Sequence, residues 1–263
     1  MRVSRIFAYS LRHIYLYKRS FPRLLEVFYW PVLDLVVWGL VSMHLNTFKG
    51  ELPDFILFFI SALILWDMLF RSQQGVTVSF LEDVWSRNLL NIFVSPLSAF
   101  EYALSLLTIS VIKLMVTSTV MIILAYAFYS FSFFSAGFSL IPLVANLIIM
   151  GWAIGIVTTG IILRFGQEAE VLAWGVGLLF QPVSAVFYPV SVLPGWMRNI
   201  ALFVPSSHVF EGMRAVIRTG SFPAHELVWA TSLNAGYMIA AAIFFSWNFS
   251  SIKKKGLLVK VGE

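Results

Sequence analysis

Three ionisable side chains, Asp34, Asp67 and Lys113, stand inside long apolar stretches of the chain. A charge held within a bilayer costs at least about 2.5–3.5 kcal/mol on insertion scales, so such residues build ion relays or lock helices together in pairs. At about 1.5 Å per residue, Asp34 falls about 10 Å past Val27, where its apolar stretch begins, and Asp67 about 6 Å from Arg71. Lys113 falls about 21 Å past Ala99. These depths match poorly, which favours separate structural pairs over one continuous relay. An Asp34–Lys113 bridge is geometrically open but needs a strong tilt. Glu168 and Glu170 lie near Arg164 and are expected to meet it or a partner protein.

Other chemistries are excluded by what is missing. The chain has no cysteine, so disulfides and thiolate metal sites are ruled out. His13, His44, His208 and His225 are scattered without ligand spacing and are read as interfacial or packing residues, so no metal site is assigned. No GxxxxGK[ST] phosphate loop is present. No catalytic residue and no cofactor are assigned to this chain, and it is read as a non-enzyme.

The elements that hold these residues follow from composition. Of 263 residues, 59% are hydrophobic and 12% charged, about half the charged share of a soluble domain. That places the chain in a membrane. Six segments reach the ~20 apolar residues of a membrane helix. They run near Val27–Phe48, Pro53–Phe70, Ala99–Tyr129, Phe138–Leu163, Glu170–Tyr188 and Glu226–Phe249. The expected fold is therefore an all-α, single membrane domain over 1–263 with six transmembrane helices. With the N-terminus inside, thirteen of the eighteen Lys and Arg fall in inner pieces, four in outer pieces, and Lys113 in a span. That bias puts both termini in the cytoplasm. The net charge of +5 reports this orientation rather than nucleic-acid binding.

Residues 1–26 interleave Arg2, Arg5, Arg12, Lys18, Arg19 and Arg23 with Ile6, Phe7, Tyr9, Ile14, Tyr15 and Tyr17. This is the pattern of an amphipathic helix lying in the headgroup plane, not of a cleaved signal. Between the second and third spans, Ser79-Phe80-Leu81-Glu82 fits a capping box. Leu81, Val84, Trp85, Leu89, Ile92 and Phe93 follow at helical spacing, with Glu82, Asp83, Ser86 and Arg87 on the other face. The expectation is a short cytoplasmic helix at 79–93, stopped by Pro96. Ser98-Ala99-Phe100-Glu101 is a second capping box that opens the third span. The two would form a rigid elbow, or else a passive interfacial anchor. Residues 189–225 alternate short apolar pieces with Pro189, Pro194, Pro205 and Pro223, the pattern of broken half-helices that dip back into a membrane. Glu211 and Arg214 are spaced to pair within one turn.

Two stretches carry a family resemblance. "QQGVTVSFLEDVWSRNLLNIFVSPLSAFEYALSLL" resembles the loop of ABC-2 type transporter permeases, with Ser95-Pro96-Leu97-Ser98 and Glu101 as its signature. "FYPVSVLPGWMRNIALFVPSSHVFEGMRAVI" is similar to the segment after that family's fifth span, through Tyr188, Pro189, Leu193, Pro194, Trp196, Pro205, Glu211 and Arg214. The resemblance implies that 79–93 is a coupling helix on a separate ATPase, with Glu82, Asp83, Val84, Trp85, Arg87, Asn88, Pro96 and Glu101 at the contact. It implies that 189–225 closes the outer end of the path, through Pro189, Pro194, Trp196, Pro205, Glu211 and Arg214.

It further implies an exporter permease of the bacterial cytoplasmic (inner) membrane, paired with two copies of an ABC ATPase that bind ATP and Mg. The cargo would be amphipathic: a lipid, a lipid-linked glycan or a hydrophobic drug. The chain shows no internal repeat, so a second permease copy is expected, as a homodimer. One departure stands out. Relatives often carry a charged triplet before the coupling helix, where this chain reads Arg71-Ser72-Gln73-Gln74-Gly75, so contacts drawn from that triplet do not transfer. The competing reading is an ion-coupled carrier or channel that uses Asp34, Asp67 and Lys113.

Overall fold

The computed structural model describes residues 2–49, 53–130 and 138–255. Among them the chain is helical, without strands: α1 (Val3–Lys18), α2 (Phe21–Lys49), α3 (Pro53–Trp85), α4 (Leu89–Val94), α5 (Ala99–Tyr129), α6 (Leu140–Phe165), α7 (Leu172–Val183), α8 (Gly195–Ala201), α9 (Pro205–Thr219) and α10 (Ala224–Lys255). The expected outer connections at 50–52 and 131–137, and the tail 256–263, lie outside the described residues, as do the side chains of Lys253, Lys254 and Lys255.

α3 is the central post. It packs against α2, α5, α6, α7 and α9. From Phe59 to Val84 nearly every side chain is buried. Its 33 residues make a rod of about 50 Å, and the 31 residues of α5 one of about 46 Å. Both outrun a hydrocarbon core of about 30 Å. The surplus falls at the end of the bundle where α3 stops, α5 starts and α1 lies, called here the basal end.

The core divides into two apolar clusters stacked along α3. One gathers Leu63, Leu69, Leu147, Phe210 and Met213 towards the distal end, and the other Phe80, Leu81, Val84, Tyr102 and Ile162 towards the basal end. Between them runs a band of interhelical hydrogen bonds. Ser110 donates to the Ser72 carbonyl at 2.8 Å, Trp152 donates to Ser110 at 3.2 Å, and Gln73 donates to the Ala173 carbonyl at 3.0 Å. Nearer the distal end Asn234 of α10 donates twice to Asn146 of α6, at 2.9 Å each. Such bonds hold helices together where lipid offers no polar partner.

Two glycines set the spacing of this band. A Cβ on Gly151 would lie 2.5 Å from the Leu69 carbonyl oxygen, and one on Gly75 would lie 2.7 Å from the Ser110 Cα. Backbone contact this close demands glycine.

Several expected boundaries hold and several move. The third span is α5 with the same ends, the fourth, Phe138–Leu163, is displaced by two residues to α6, and the sixth lies inside α10. The first lies in α2, which carries Pro31 and starts at Phe21 instead of Val27. The N-terminal amphipathic helix is shorter than 1–26, because the chain breaks after Lys18 and Phe21 already belongs to α2. Four helices among the described residues are long and apolar enough to cross a membrane, or five if α8 and α9 count as one bent span. The expected fifth span is not a single crossing: α7 has 12 residues, about 18 Å. A 3-10 turn at Gly166–Ala169 precedes it, and the chain turns sharply at Ala185, whose φ is +52°.

Replacing Gly151 by Val should force α3 and α6 apart. An overpacking cost of about 1–3 kcal/mol is expected, read as a lower unfolding temperature in detergent, whereas Gly175→Ala, in open space within α7, should not lower it.

Candidate functional site

The expected helix at 79–93 does not start at Ser79. α3 runs unbroken to Trp85, so Ser79 and Glu82 are interior helix positions and their capping-box spacing is coincidental. The helix ends at Ser86–Asn88 in a Schellman motif. The Arg87 N–H donates to the Val84 carbonyl at 2.9 Å, the Asn88 N–H to the Asp83 carbonyl at 3.0 Å, and Arg87 takes the left-handed φ of +50°. What remains of the separate helix is α4, six residues long. Asn88 leads into it and accepts a hydrogen bond from the Asn91 side chain at 3.0 Å. The second capping box is present: Ser98 accepts from the Glu101 N–H at 3.1 Å, and Glu101 accepts from the Ser98 N–H at 3.0 Å.

The carboxylates of Glu82 and Asp83 are buried, not displayed. α1 lies along α5 and seals them. Asp83 accepts from Arg12 at 2.6 Å and from Tyr102 at 3.1 Å, and also from the Tyr9 hydroxyl. Glu82 meets the His13 ring Nδ1 at 3.0 Å, accepts from the Tyr17 hydroxyl, and has Lys113 Nζ at 3.8 Å. His13 is itself fully buried, and its Nε2 is 3.6 Å from Asp83. Lys113 donates to Ser79 at 2.8 Å and lies 4.3 Å from the centre of the Tyr17 ring. Two anions and their cationic and phenolic partners thus form one closed knot between α1, α3 and α5.

The knot fixes protonation states. Burial alone would raise Glu82, but His13, Lys113 and Tyr17 outweigh it and hold its carboxyl at about 2. Burial would likewise raise Asp83, and His13, Arg12 and Tyr9 bring it below its ordinary range. Burial would lower His13, and the two carboxylates raise it instead.

Around the knot the connection is tied at several points. Val84 is buried in the basal cluster. Trp85 is half-exposed and donates from its indole to Glu170 at 3.0 Å, so Glu170 meets Trp85 rather than Arg164. Arg5 donates to the Pro96 carbonyl and lies 3.4 Å from Glu101, which also accepts from the Arg2 N–H at 2.8 Å. Val94 is 86% exposed, and Ser95 and Pro96 beside it are also exposed. The Phe93 side chain lies outside those described.

The intramembrane charges fall into two groups, Asp34 and Asp67 around Arg71 in one and Lys113 in the basal knot in the other. Asp67 pairs with Arg71 one turn on, at 3.1 Å. Lys113 belongs to the basal knot and not to Asp34, which is exposed on α2. The snorkelling-or-pairing expectation therefore holds for two of the three.

At the distal end Pro194 caps α8 and Pro205 opens α9, and the two helices meet at 92°. Glu211 and Arg214 pair at 3.1 Å, as their spacing implies. Arg214 is buried and does more. It donates to the carbonyls of Ala185, Val186 and Tyr188, while Glu211 accepts from the Val190 N–H at 2.7 Å. The pair therefore staples α9 onto the turn after α7. Pro189 starts the short 3-10 turn Val190–Val192, and Trp196 is 65% exposed.

A bundle of long apolar helices with a short exposed connection at one end and a sharply bent helix pair at the other is that of a multi-pass membrane protein. The family model described as ABC-2 family transporter protein matches residues 39–249. The chain belongs to that family, the membrane-embedded permeases of ABC transporters, whose members work with an ATPase partner. No curated protein matches it.

Asp83→Ala removes the acceptor shared by Tyr9, Arg12 and Tyr102. Breaking a buried pair costs about 3–5 kcal/mol, and α1 should become the first part of the chain to exchange its amide hydrogens. The same knot sets a pH window. The His13 contribution is complete below its ordinary value of 6.5 and is lost as pH rises through its raised one. The Glu82 contribution is complete above 4.5 and is lost as pH falls towards about 2. Protection factors of α1 amides should therefore peak at about pH 4.5–6.5 and fall above it, and His13→Gln should abolish the fall on the alkaline side.

Proposed function

We propose that this chain is the permease of an ATP-driven exporter of an amphipathic substrate, a lipid, a lipid-linked glycan or a hydrophobic drug. It works as a homodimer over two copies of an ABC ATPase that hold ATP and Mg. The basal end faces the bacterial cytoplasm, both termini lie there, and the chain crosses the inner membrane six times, with α7 and the bent α8–α9 pair completing the fifth crossing as a re-entrant unit. Glu211, Arg214 and the prolines at 189, 194 and 205 hold the outer gate.

The observation that carries this is the basal elbow. Val94, Ser95 and Pro96 are exposed at the tip of a connection anchored on both sides, by the Schellman end of α3 and by the capping box of α5. A partner pressing on that tip moves two rods of about 50 and 46 Å, not a tether. Coupling contact thus shifts from the buried Glu82, Asp83 and Val84 to the exposed residues of the connection, Trp85, Arg87, Val94, Ser95 and Pro96, with Asn88 half-buried beside them. Glu82, Asp83 and Glu101 serve it from behind by holding α1, α3 and α5 together. The carrier reading receives little support, since Asp67 is paired with Arg71 and Lys113 with Glu82 at different places.

Val94→Asp, at an exposed site, should leave the fold intact. It should weaken ATPase docking by at least about tenfold, and transport should fall while the ATPase still hydrolyses ATP. The measurement is uptake into inverted vesicles holding the permease with and without its ATPase. Accumulation on a proton or sodium gradient with no ATP would establish the carrier instead.

A further inference from the structure

One imidazole ring holds the distal bend, and it faces two acceptors. His208 stands in the first turn of α9, with its side chain only 12% exposed. Its Nδ1 lies 2.6 Å from the Glu226 carboxylate, in the first turn of α10. Its Nε2 lies 3.0 Å from the carbonyl oxygen of Leu202, the residue that ends α8. The ring therefore ties α8, α9 and α10 together where α8 and α9 meet at 92°.

A neutral imidazole has a single N–H and can serve only one of these acceptors. The other bond needs a further proton, carried on the ring as imidazolium or on Glu226 as its acid, and the proton count is the same either way. His225 makes the contrast. Its Nε2 accepts from the Trp229 indole N–H at 3.2 Å and its Nδ1 faces Glu226 at 3.4 Å, so a neutral ring satisfies both contacts. The surroundings bring His208 no other charge among the described residues. On α8, Arg198 is spent on the Ser191 and Leu193 carbonyls, and on α9, Glu211 and Arg214 pair with each other, while Arg218 is exposed in the last turn. α6 carries only Arg164, in its last turn. On α3, Asp67 pairs with Arg71, and Glu82 and Asp83 belong to the basal knot. The Trp229 ring covers one face of His208, with 6.1 Å between centres.

We infer that His208 and Glu226 form a proton-operated clasp on the α8–α9 bend. With the extra proton bound, the ring holds the end of α8 and the start of α10 at once. When that proton leaves, one of the two bonds is lost and α8 is released from the corner. A fall in pH at the distal face closes the clasp and a rise opens it. The device goes beyond the export reading and stands whether or not the chain exports anything.

The test is amide hydrogen exchange of the full chain in detergent at about pH 5 and about pH 8, the limits between which histidine changes charge, with rates expressed as protection factors. The amides to follow are those of Phe203, Val204 and Ser207, which bond to the carbonyls of Ile200, Ala201 and Val204. In the wild type their protection should fall by about tenfold at the higher pH, the loss of one charge-assisted bond. His208→Gln should give the same protection at both pH values, and His225→Gln should keep the step. Glu226→Gln separates the clasp from a merely structural contact. Its amide can donate to Nδ1 while the Nε2–H serves Leu202, so a neutral ring closes the corner and protection should stay high at both pH values. Protection that is equal at the two pH values in the wild type would overturn the clasp. So would a step that survives His208→Gln, one that disappears in His225→Gln, or a Glu226→Gln chain that still loses protection at the higher pH.

Discussion

Two neighbouring carboxylates, Glu82 and Asp83, sit in the last turn of α3, and the basal architecture exists to satisfy them. Their position is unfavourable twice over. The C-terminus of a helix carries partial negative charge, and burial strips a carboxylate of water. Both costs are offset only if cations and donors arrive from elsewhere. α1 brings Tyr9, Arg12, His13 and Tyr17, and α5 brings Tyr102 and Lys113. None of these partners is interchangeable with lipid or water, so α1 is an integral part of the bundle and not merely a helix floating at a membrane surface.

That constraint gives the basal end its mechanical character. With α1 sealed across α3 and α5, the connection 86–98 is short, tied at both ends and unable to swing alone. The Schellman end of α3 and the capping box of α5 convert a loop into a corner. The polar band around Ser72, Gln73 and Ser110, set by the close approaches at Gly75 and Gly151, then joins the same rods to α6 and α7. Force applied at the corner has a continuous packed route to the distal end. There Arg214 gathers three carbonyls after α7, so the bent α8–α9 pair moves with α7 and not apart from it.

Within the ABC-2 family assignment, this arrangement separates the roles that charged residues play. Glu82, Asp83 and Glu101 tie α1 to α3 and α5 and do not form the exposed face of the basal connection. Asp67 and Arg71 neutralise one another along α3. Asp34 is different, because it is exposed on a helix whose neighbouring Leu33, Val37 and Trp38 are exposed as well. A second copy of the permease against that face of α2 would remove the charge from lipid, in keeping with the proposed homodimer.

The sequence by itself determined the membrane class, the all-helical fold and the family, because apolar length and short-range signals suffice for them. α5 was legible to the residue: Ser98 and Glu101 are three apart, and a capping box is complete within one turn. The break between α8 and α9 and the Glu211–Arg214 pair were legible for the same reason. The end of α3 was not. A Ser-x-x-Glu spacing with helical periodicity over 79–93 fits a new helix and a continued one equally well, and the true break at Arg87 carries neither glycine nor proline to mark it. Only tertiary structure decided that Glu82 and Asp83 point inward, because their partners on α1 lie 65 to 74 residues away in the chain. His13 was unreadable for that reason too: alone on an amphipathic helix it has no local ligand pattern, and its role appears only when two carboxylates from α3 close around it. Periodicity reports which residues share a face, and long-range packing decides what that face meets.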